Sequence, residues 1–231
     1  MKTIGLIGGM SWESTVPYYR IINEAIKERL GGLHSAKIIL YSVDFHDIEE
    51  LQRAGDWDTA GQRMAGAAKS LESAGADFLV LCTNTMHKVA PAIEQAVRIP
   101  LIHIADPTAD AIKATGVTKV GLLGTQFTME QPFYADRLRN QHGLEVITPQ
   151  LADREIVHRI IYGELCLGKV LDESRIAYQN IMAGLIAKGT QAIILGCTEI
   201  SLLVSQQDLA VPLFDTTWIH ARAAAEVALA E

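Results

Sequence analysis

Two stretches of the sequence end in side chains that can take part in proton transfer. Residues 75–85 read GADFLVLCTNT, and residues 189–199 read GTQAIILGCTE. Each begins with a Gly, continues as an apolar strand and ends in hydroxyl or thiol residues. When the stretches are aligned on their first Gly, Thr83 falls opposite Cys197. From this alignment we expect the two positions to face each other in one active site, where a Cys thiolate is a strong nucleophile and base.

Length and charge exclude several classes of function. The chain has 231 residues and a formal net charge of −7, which allows one large or two small domains. The negative charge and the scattered Lys and Arg residues argue against binding to nucleic acid or to an anionic membrane. The N-terminus lacks the pattern of a signal peptide. No zinc-ligand spacing is formed by the three cysteines, Cys82, Cys166 and Cys197. We therefore expect a cytoplasmic protein with free thiols.

Strand and helix patterns alternate along the chain. Apolar runs predict buried strands at residues 2–8 and 37–42, and amphipathic spacing predicts a long helix at about residues 57–73, ending at Gly75. A further helix is expected from about Met86 and a short strand from Ile99. This alternation predicts an α/β fold with a parallel sheet covered by helices on both faces.

The second half of the sequence repeats the first. Residues 118–125 (TKVGLLGT) match residues 2–9 (KTIGLIGG), and residues 211–217 (VPLFDTT) match residues 99–105 (IPLIHIA). With the match described above, three segments recur in the same order at nearly constant spacing. We therefore predict two similar α/β halves joined near residues 104–117, with a ligand cleft between them.

Four corners between strands and helices are rich in Gly, Ser, Thr and Asn. In parallel sheets ligands bind beyond the carboxyl ends of the strands, where backbone N–H groups favour a carboxylate. No GxGxxG, Walker A or H-E-x-x-H pattern occurs, so neither a nucleotide nor a metal is expected. The four corners are Gly8-Gly9-Met10-Ser11, Thr83-Asn84-Thr85, Gly124-Thr125-Gln126 and Cys197-Thr198-Glu199.

Three motifs, GLIGGMSWEST, LCTNTMHK and LGCTEI, resemble the aspartate/glutamate racemase family. The resemblance spans most of the chain and implies a cofactor-independent racemase with two pseudo-symmetric, Rossmann-like domains and an active site in the cleft between them. It also implies a homodimer and a C-terminal helix that packs onto the first domain. We accordingly expect a first domain formed by residues 1–104 plus 212–231, and a second formed by residues 105–211.

The resemblance implies roles for the two facing positions. In such enzymes two cysteines flank the α-carbon of the substrate; the second corresponds to Cys197, which serves the L face, and the first to Thr83. A thiol at a helix N-terminus is expected to supply thiolate at neutral pH, whereas an alcohol is a poor base. Cys82 adjoins Thr83, but strand alternation should turn its side chain away from the site.

Each candidate residue also has a structural alternative, and for Cys197 it is a buried small residue at the end of a strand. Thr83 and the polar corner residues either act on the substrate or cap helices, and Glu199 either orients the thiol or stabilises a helix N-terminus. By resemblance Gln52 and Arg53 lie in a substrate-contacting loop, where Arg53 either pairs with a carboxylate or remains solvated. Cys166 is assigned to packing, and His87 is expected to be structural or partly exposed rather than catalytic. The expected substrate contacts are Met10, Gln52, Arg53, Asn84, Thr85, Thr125, Thr198 and Glu199.

Three functions fit these residues. The first is racemisation of aspartate or glutamate, or of a broader range that includes neutral amino acids. The second is a single-cysteine decarboxylase or isomerase of the same fold, which the replacement of the first cysteine by Thr83 keeps open. The third is a non-catalytic protein that binds a small carboxylate, although such a protein does not require the thiol of Cys197.

Overall fold

The computed structural model describes residues 1–230. They form two compact units: residues 1–104 together with the chain from His220 onward, and residues 105–219. The sequence predicts that the chain returns to the first domain at residue 212, whereas in the structure it returns at His220. The reason is that residues 213–215 form a strand of the second sheet, which keeps residues 212–219 with the second unit.

The first unit contains a four-stranded parallel sheet of order β2-β1-β3-β4. Helices follow the strands, as the alternating pattern predicts. In chain order the elements are β1 (Ile4–Gly8), α1 (Trp12–Leu30), β2 (Ile38–Ser42), α2 (Phe45–Ala54), α3 (Trp57–Ser73), β3 (Phe78–Leu81), a 3-10 helix (Thr85–Val89), α4 (Ala90–Ala96) and β4 (Leu101–Ile102).

The second unit contains a parallel sheet of order β6-β5-β7-β8. The elements of the second unit are α5 (Ala105–Lys113), β5 (Lys119–Gly124), α6 (Gln126–Glu130), α7 (Pro132–His142), β6 (Glu145–Ile147), α8 (Leu151–Gly163), α9 (Asp172–Ala187), β7 (Ala192–Gly196), β8 (Leu213–Asp215), the start of α10 (Thr216–Leu229), and 3-10 helices at Leu165–Leu167, Ile200–Leu202 and Gln206–Asp208. Among residues 1–230, every helix is too short or too polar to cross a membrane.

The two sheets have the same strand order and the same register. In the first sheet Ile4 pairs with Phe78, and in the second Val120 pairs with Ala192. The sequence matches between the halves align Ile4 with Val120 and Phe78 with Ala192. The expectation of two similar α/β halves is therefore confirmed, and Thr83 and Cys197 follow equivalent strands, β3 and β7.

Alternation along β3 separates two cores in the first unit. Leu79 and Leu81 pack in the core that contains α3, whereas Phe78, Val80 and Cys82 pack in the core that contains α1 and α10. The Cys82 thiol is thus buried in apolar packing, as strand alternation indicates, and burial raises the pKa of this thiol.

One strand differs from its prediction. The segment predicted as a buried strand at residues 37–42 forms β2, but Leu40 and Tyr41 are 46% and 42% exposed. The sheet order places β2 at an edge, where part of each side-chain face remains uncovered. An apolar run alone does not distinguish an edge strand from a central one.

Candidate active site

The first corner follows β1 and depends on Gly9. This residue has φ +94°, and a Cβ there would lie 2.3 Å from the carbonyl oxygen of Val43, so a side chain would collide with the backbone. The Gly9 N–H donates to Thr15 Oγ1 at 2.8 Å. Met10 is 3% exposed and packs in the same core as Met64. The side chain of Met10 therefore belongs to the core of the first unit.

The second corner contains Thr83, Asn84 and Thr85, which are all buried. A short 3-10 helix follows it and α4 begins only at Ala90, which corrects the expected helix from about Met86. Pro91 accounts for the break, because it has no N–H to donate to the His87 carbonyl four residues earlier and is accommodated in the first turn of α4.

Gln52 and Arg53 lie in α2, and the prediction of a loop at this position is wrong. Asp44 caps the helix by accepting from the His46 N–H at 3.0 Å, and Gly55 ends it in the left-handed conformation. The helix turns its two candidate residues in different directions. Gln52 is 3% exposed and its Nε2 donates to Met86 Sδ at 3.1 Å, whereas the exposed Arg53 lies 3.7 Å from a Glu50 carboxylate oxygen.

The third corner, after β5, begins with a helix cap. Thr125 is the N-cap of α6, and its Oγ1 accepts from the Thr128 N–H at 3.3 Å. The next backbone N–H, that of Gln126, donates to His158 Nδ1 at 3.2 Å. Burial lowers the pKa of His158, and the nearby Glu130 opposes this effect. His158 therefore serves this corner as a neutral acceptor.

The fourth corner follows β7 and contains Cys197, Thr198 and Glu199, which are 7%, 4% and 2% exposed. Cys197 Sγ donates to Glu199 Oε2 at 3.1 Å, and Thr198 Oγ1 donates to the same oxygen at 2.8 Å. The corner lies beside the third one, because Gly124 and Gly196 are partners across β5 and β7. A Cβ on Gly124 would lie 2.7 Å from the Gly196 carbonyl oxygen, so these two strand ends require glycine.

Cys197 is a neutral thiol in this structure, which corrects the expectation of a thiolate at neutral pH. Burial, reinforced by the negative charge of Glu199, raises the pKa of Cys197 well above its usual value. The short 3-10 helix at Ile200–Leu202 does not provide the aligned dipoles that a long helix would supply. Ionisation of Cys197 consequently requires a proton acceptor, and Glu199 is placed to be one.

The sequence predicts a packing role for Cys166, and the structure adds a polar contact. Its Sγ donates to Glu199 Oε1 at 3.8 Å, while its side chain packs against the core of the second unit. Burial and the charge of Glu199 raise the pKa of Cys166. Glu199 thus accepts from both thiols of the second unit, a convergence that no local sequence pattern indicates.

The candidate residues form one group in each unit. In the first unit, Gln52 joins the Thr83 corner through Met86, while Arg53 points to solvent. In the second unit, Thr125 lies near the group formed by Cys197, Thr198 and Glu199. Within residues 1–230, no three His, Cys, Asp or Glu side chains cluster as metal ligands would.

Comparisons with known proteins show which family the chain resembles. A model of the Asp/Glu/hydantoin racemase family matches residues 7–224. The chain is 24% identical over 230 residues to the broad specificity amino-acid racemase RacX of Bacillus subtilis (strain 168), and 98% of each chain is covered. The crystal structure of a Yersinia pestis protein, provisionally assigned as an Asp/Glu racemase, has a TM-score of 0.92, 63% identity and 100% coverage of both chains. An aspartate racemase homologue from Pyrococcus horikoshii OT3 has a TM-score of 0.84, 36% identity and 99% coverage of both chains.

The family match spans most of the chain, and the likeness to the Yersinia pestis structure extends over all of it. The chain therefore belongs to the Asp/Glu/hydantoin racemase family. Its enzyme class is that of the isomerases.

Proposed function

We propose that this protein is a cofactor-independent amino-acid racemase that transfers a proton at the α-carbon, with Cys197 as the base for the L enantiomer. The observation that carries the proposal is the hydrogen bond from Cys197 Sγ to Glu199 Oε2 at 3.1 Å. A buried thiol with a raised pKa becomes a base only if a neighbour accepts its proton. Glu199 supplies that acceptor within hydrogen-bond distance.

The proton balance follows from these groups. The Cys197 proton moves to the Glu199 carboxylate, and the resulting thiolate removes the α-proton from an L-amino acid to form a thiol and a carbanion. The Thr83 hydroxyl then delivers its proton to the opposite face of the carbanion, and water replaces the proton lost from Thr83. Return of the proton from Glu199 to solvent completes the cycle, so the reaction requires no oxidant or reductant.

The residues assigned to substrate binding are those with polar side chains near these groups. Asn84, Thr85 and Thr198 are proposed to hold the α-carboxylate by hydrogen bonds. Arg53 is the weaker candidate, since its side chain is exposed and close to Glu50. Aspartate and glutamate are the first substrates to test, and the likeness to a broad specificity racemase makes neutral amino acids the second group.

Proton exchange in deuterium oxide tests the reaction. L-Aspartate, L-glutamate and neutral L-amino acids are incubated with the enzyme, and α-deuteration is followed by NMR while enantiomers are separated by chromatography. Exchange together with formation of the D enantiomer supports the proposal. Release of carbon dioxide would identify the decarboxylase alternative, and binding without exchange would identify a non-catalytic carboxylate-binding protein.

The remaining expectations form part of the same proposal. Cofactor independence rests on the sufficiency of a positioned thiol for proton transfer, and retention of activity after dialysis against a chelator tests it. A cytoplasmic location is consistent with three free cysteines. A homodimer is supported by an exposed apolar stripe on α1, formed by Trp12, Val16 and Tyr19, and light scattering measures the oligomeric state.

A further inference from the structure

His87 connects the Thr83 corner to Ile104, at the end of the segment 1–104 of the first unit. The residue is 2% exposed and lies in the 3-10 helix that follows the corner. Its Nδ1 lies 2.7 Å from the carbonyl oxygen of Thr83, and its Nε2 accepts from the Ile104 N–H at 3.1 Å. Ile104 is the last residue before the chain enters the second unit.

These two contacts define the protonation state of the imidazole. A backbone N–H only donates, so Nε2 must carry the lone pair, and a carbonyl oxygen only accepts, so Nδ1 must carry the proton. His87 is therefore a neutral ring with its proton on Nδ1. The opposite tautomer would place two donors together at Ile104 and two acceptors together at Thr83.

The local backbone explains why Thr83 requires this donor. In an α-helix the Thr83 carbonyl would accept from the N–H of the residue four positions later. That N–H belongs to His87, and in the 3-10 geometry it donates to the Asn84 carbonyl at 3.1 Å instead. The His87 ring supplies the hydrogen bond that its own backbone N–H gives elsewhere.

A second histidine fixes the same segment of chain. His220 Nε2 lies 2.9 Å from the carbonyl oxygen of Ile102, and its Nδ1 lies 2.9 Å from Tyr18 Oη. His87 and His220 thus bond to Ile104 and Ile102, which are two residues apart. The bond to the Thr83 carbonyl comes from the His87 ring. The His220 ring also lies edge-on to the His87 ring, with centroids 5.9 Å apart, so the two histidines support this segment together.

We propose that His87, as the Nδ1-protonated neutral tautomer, is a positioning residue that holds the backbone of Thr83 so that its hydroxyl can deliver a proton to the substrate. The inference rests on the proposed racemase function. It goes beyond that function by assigning His87 a role in one half of the reaction, reprotonation on the Thr83 side. Proton removal by Cys197 does not depend on this bond.

The test compares two rates in the same protein. Loss of the Thr83 bond should reduce racemisation of an L substrate by about tenfold or more, since a misplacement of about 1 Å can cost 10²-fold. Exchange of the α-proton from the L substrate should change by less than about threefold, an estimate that rests on the same positional argument. His87→Ala should therefore lower the ratio of racemisation to exchange.

Conservative variants separate the two hydrogen bonds. His87→Asn places an amide donor near the position of Nδ1 and should restore much of the ratio. His87→Gln extends to the position of Nε2, retains an acceptor for Ile104, and should not restore it. Tyr18→Phe, which removes the buried hydrogen bond between Tyr18 and His220 Nδ1, is the control for general loss of stability and should leave the ratio at its wild-type value.

Two results would overturn the inference: equal loss of exchange and racemisation in every His87 variant, or a ratio in His87→Gln as high as in His87→Asn. If variants fold poorly, nitrogen-15 NMR of the wild type decides the matter. Detection of His87 protonated on Nε2 at neutral pH would contradict the proposal, whereas the Nδ1-protonated form would support it. A wild type without exchange or racemisation refutes the proposed function, and the tautomer measurement still tests His87 separately.

Discussion

The thiol of Cys197 donates a hydrogen bond to the carboxyl group of Glu199, with Sγ and Oε2 3.1 Å apart. Both side chains are buried, and Glu199 also accepts from Thr198 and Cys166. Burial, reinforced by the charge of Glu199, raises the pKa of Cys197 and keeps its proton in place, and the same carboxylate accepts the hydrogen bond of that thiol. Glu199 therefore restrains the thiol at rest and is proposed to activate it when substrate binds.

Replacement of Glu199 by Gln should abolish most α-proton exchange from an L substrate. The amide still accepts a hydrogen bond from Cys197, but it cannot take up the proton, and loss of a general base typically costs about 10²–10⁴-fold in rate. Exchange in deuterium oxide measures the effect. Glu164→Gln is the matched control, because Glu164 contacts Ser174 at 2.5 Å and not Cys197. Near-normal exchange in Glu199→Gln would contradict the assigned role.

Alkylation of Cys197 by iodoacetamide should be slow at neutral pH and should accelerate as pH rises. Burial and the Glu199 charge both raise the pKa of Cys197, and only the thiolate reacts readily. Glu199→Gln removes the charge and should lower that pKa, so alkylation should become faster even though catalysis is lost. Mass spectrometry of the labelled peptides separates Cys197 from Cys166 and from the fully buried Cys82. Unchanged Cys197 alkylation in Glu199→Gln would show that this charge does not control the thiol.

The wild-type enzyme should exchange the α-proton of an L substrate faster than it racemises that substrate. Cys197 can remove and return the proton on one face many times before Thr83 delivers one to the other face. D substrates should react feebly, because Thr83 is a poor base. Thr83→Cys should raise D-substrate turnover by on the order of 10²-fold, the usual scale for a positioned base. Equal turnover of both enantiomers by the wild type at saturation would contradict the mechanism.

The second unit should lose stability below about pH 6.5 through His158, and the sign follows from the direction of its pKa shift. Burial lowers the pKa of His158 in the folded chain, while the unfolded chain titrates near 6.5. Below that pH the unfolded state binds more protons than the folded state, so stability falls until the folded-state pKa is reached. His158→Asn retains an acceptor for Gln126 and should reduce this decline, as measured by urea midpoints at several pH values. The exposed His34→Asn variant should retain the wild-type decline.

The sequence by itself determined the repeated α/β organisation and the equivalence of Thr83 and Cys197. Strand alternation and the order of three matching segments are local patterns, and the register of Ile4 with Phe78 and of Val120 with Ala192 reproduces them. The edge position of β2 and the helix that contains Gln52 were missed. An apolar run has the same appearance in an edge strand as in a central one. A polar run has the same appearance in a helix as in a loop.

Only the tertiary structure decided the chemistry of the individual side chains. The state of Cys197 depends on its burial and on the orientation of Glu199, and the sequence motif alone indicated a thiolate. The contacts of Cys166 with Glu199 and of His87 with Ile104 join residues far apart in the chain. A pKa or a tautomer reflects every charge and hydrogen bond around a group, and those neighbours are brought together by folding rather than by sequence order.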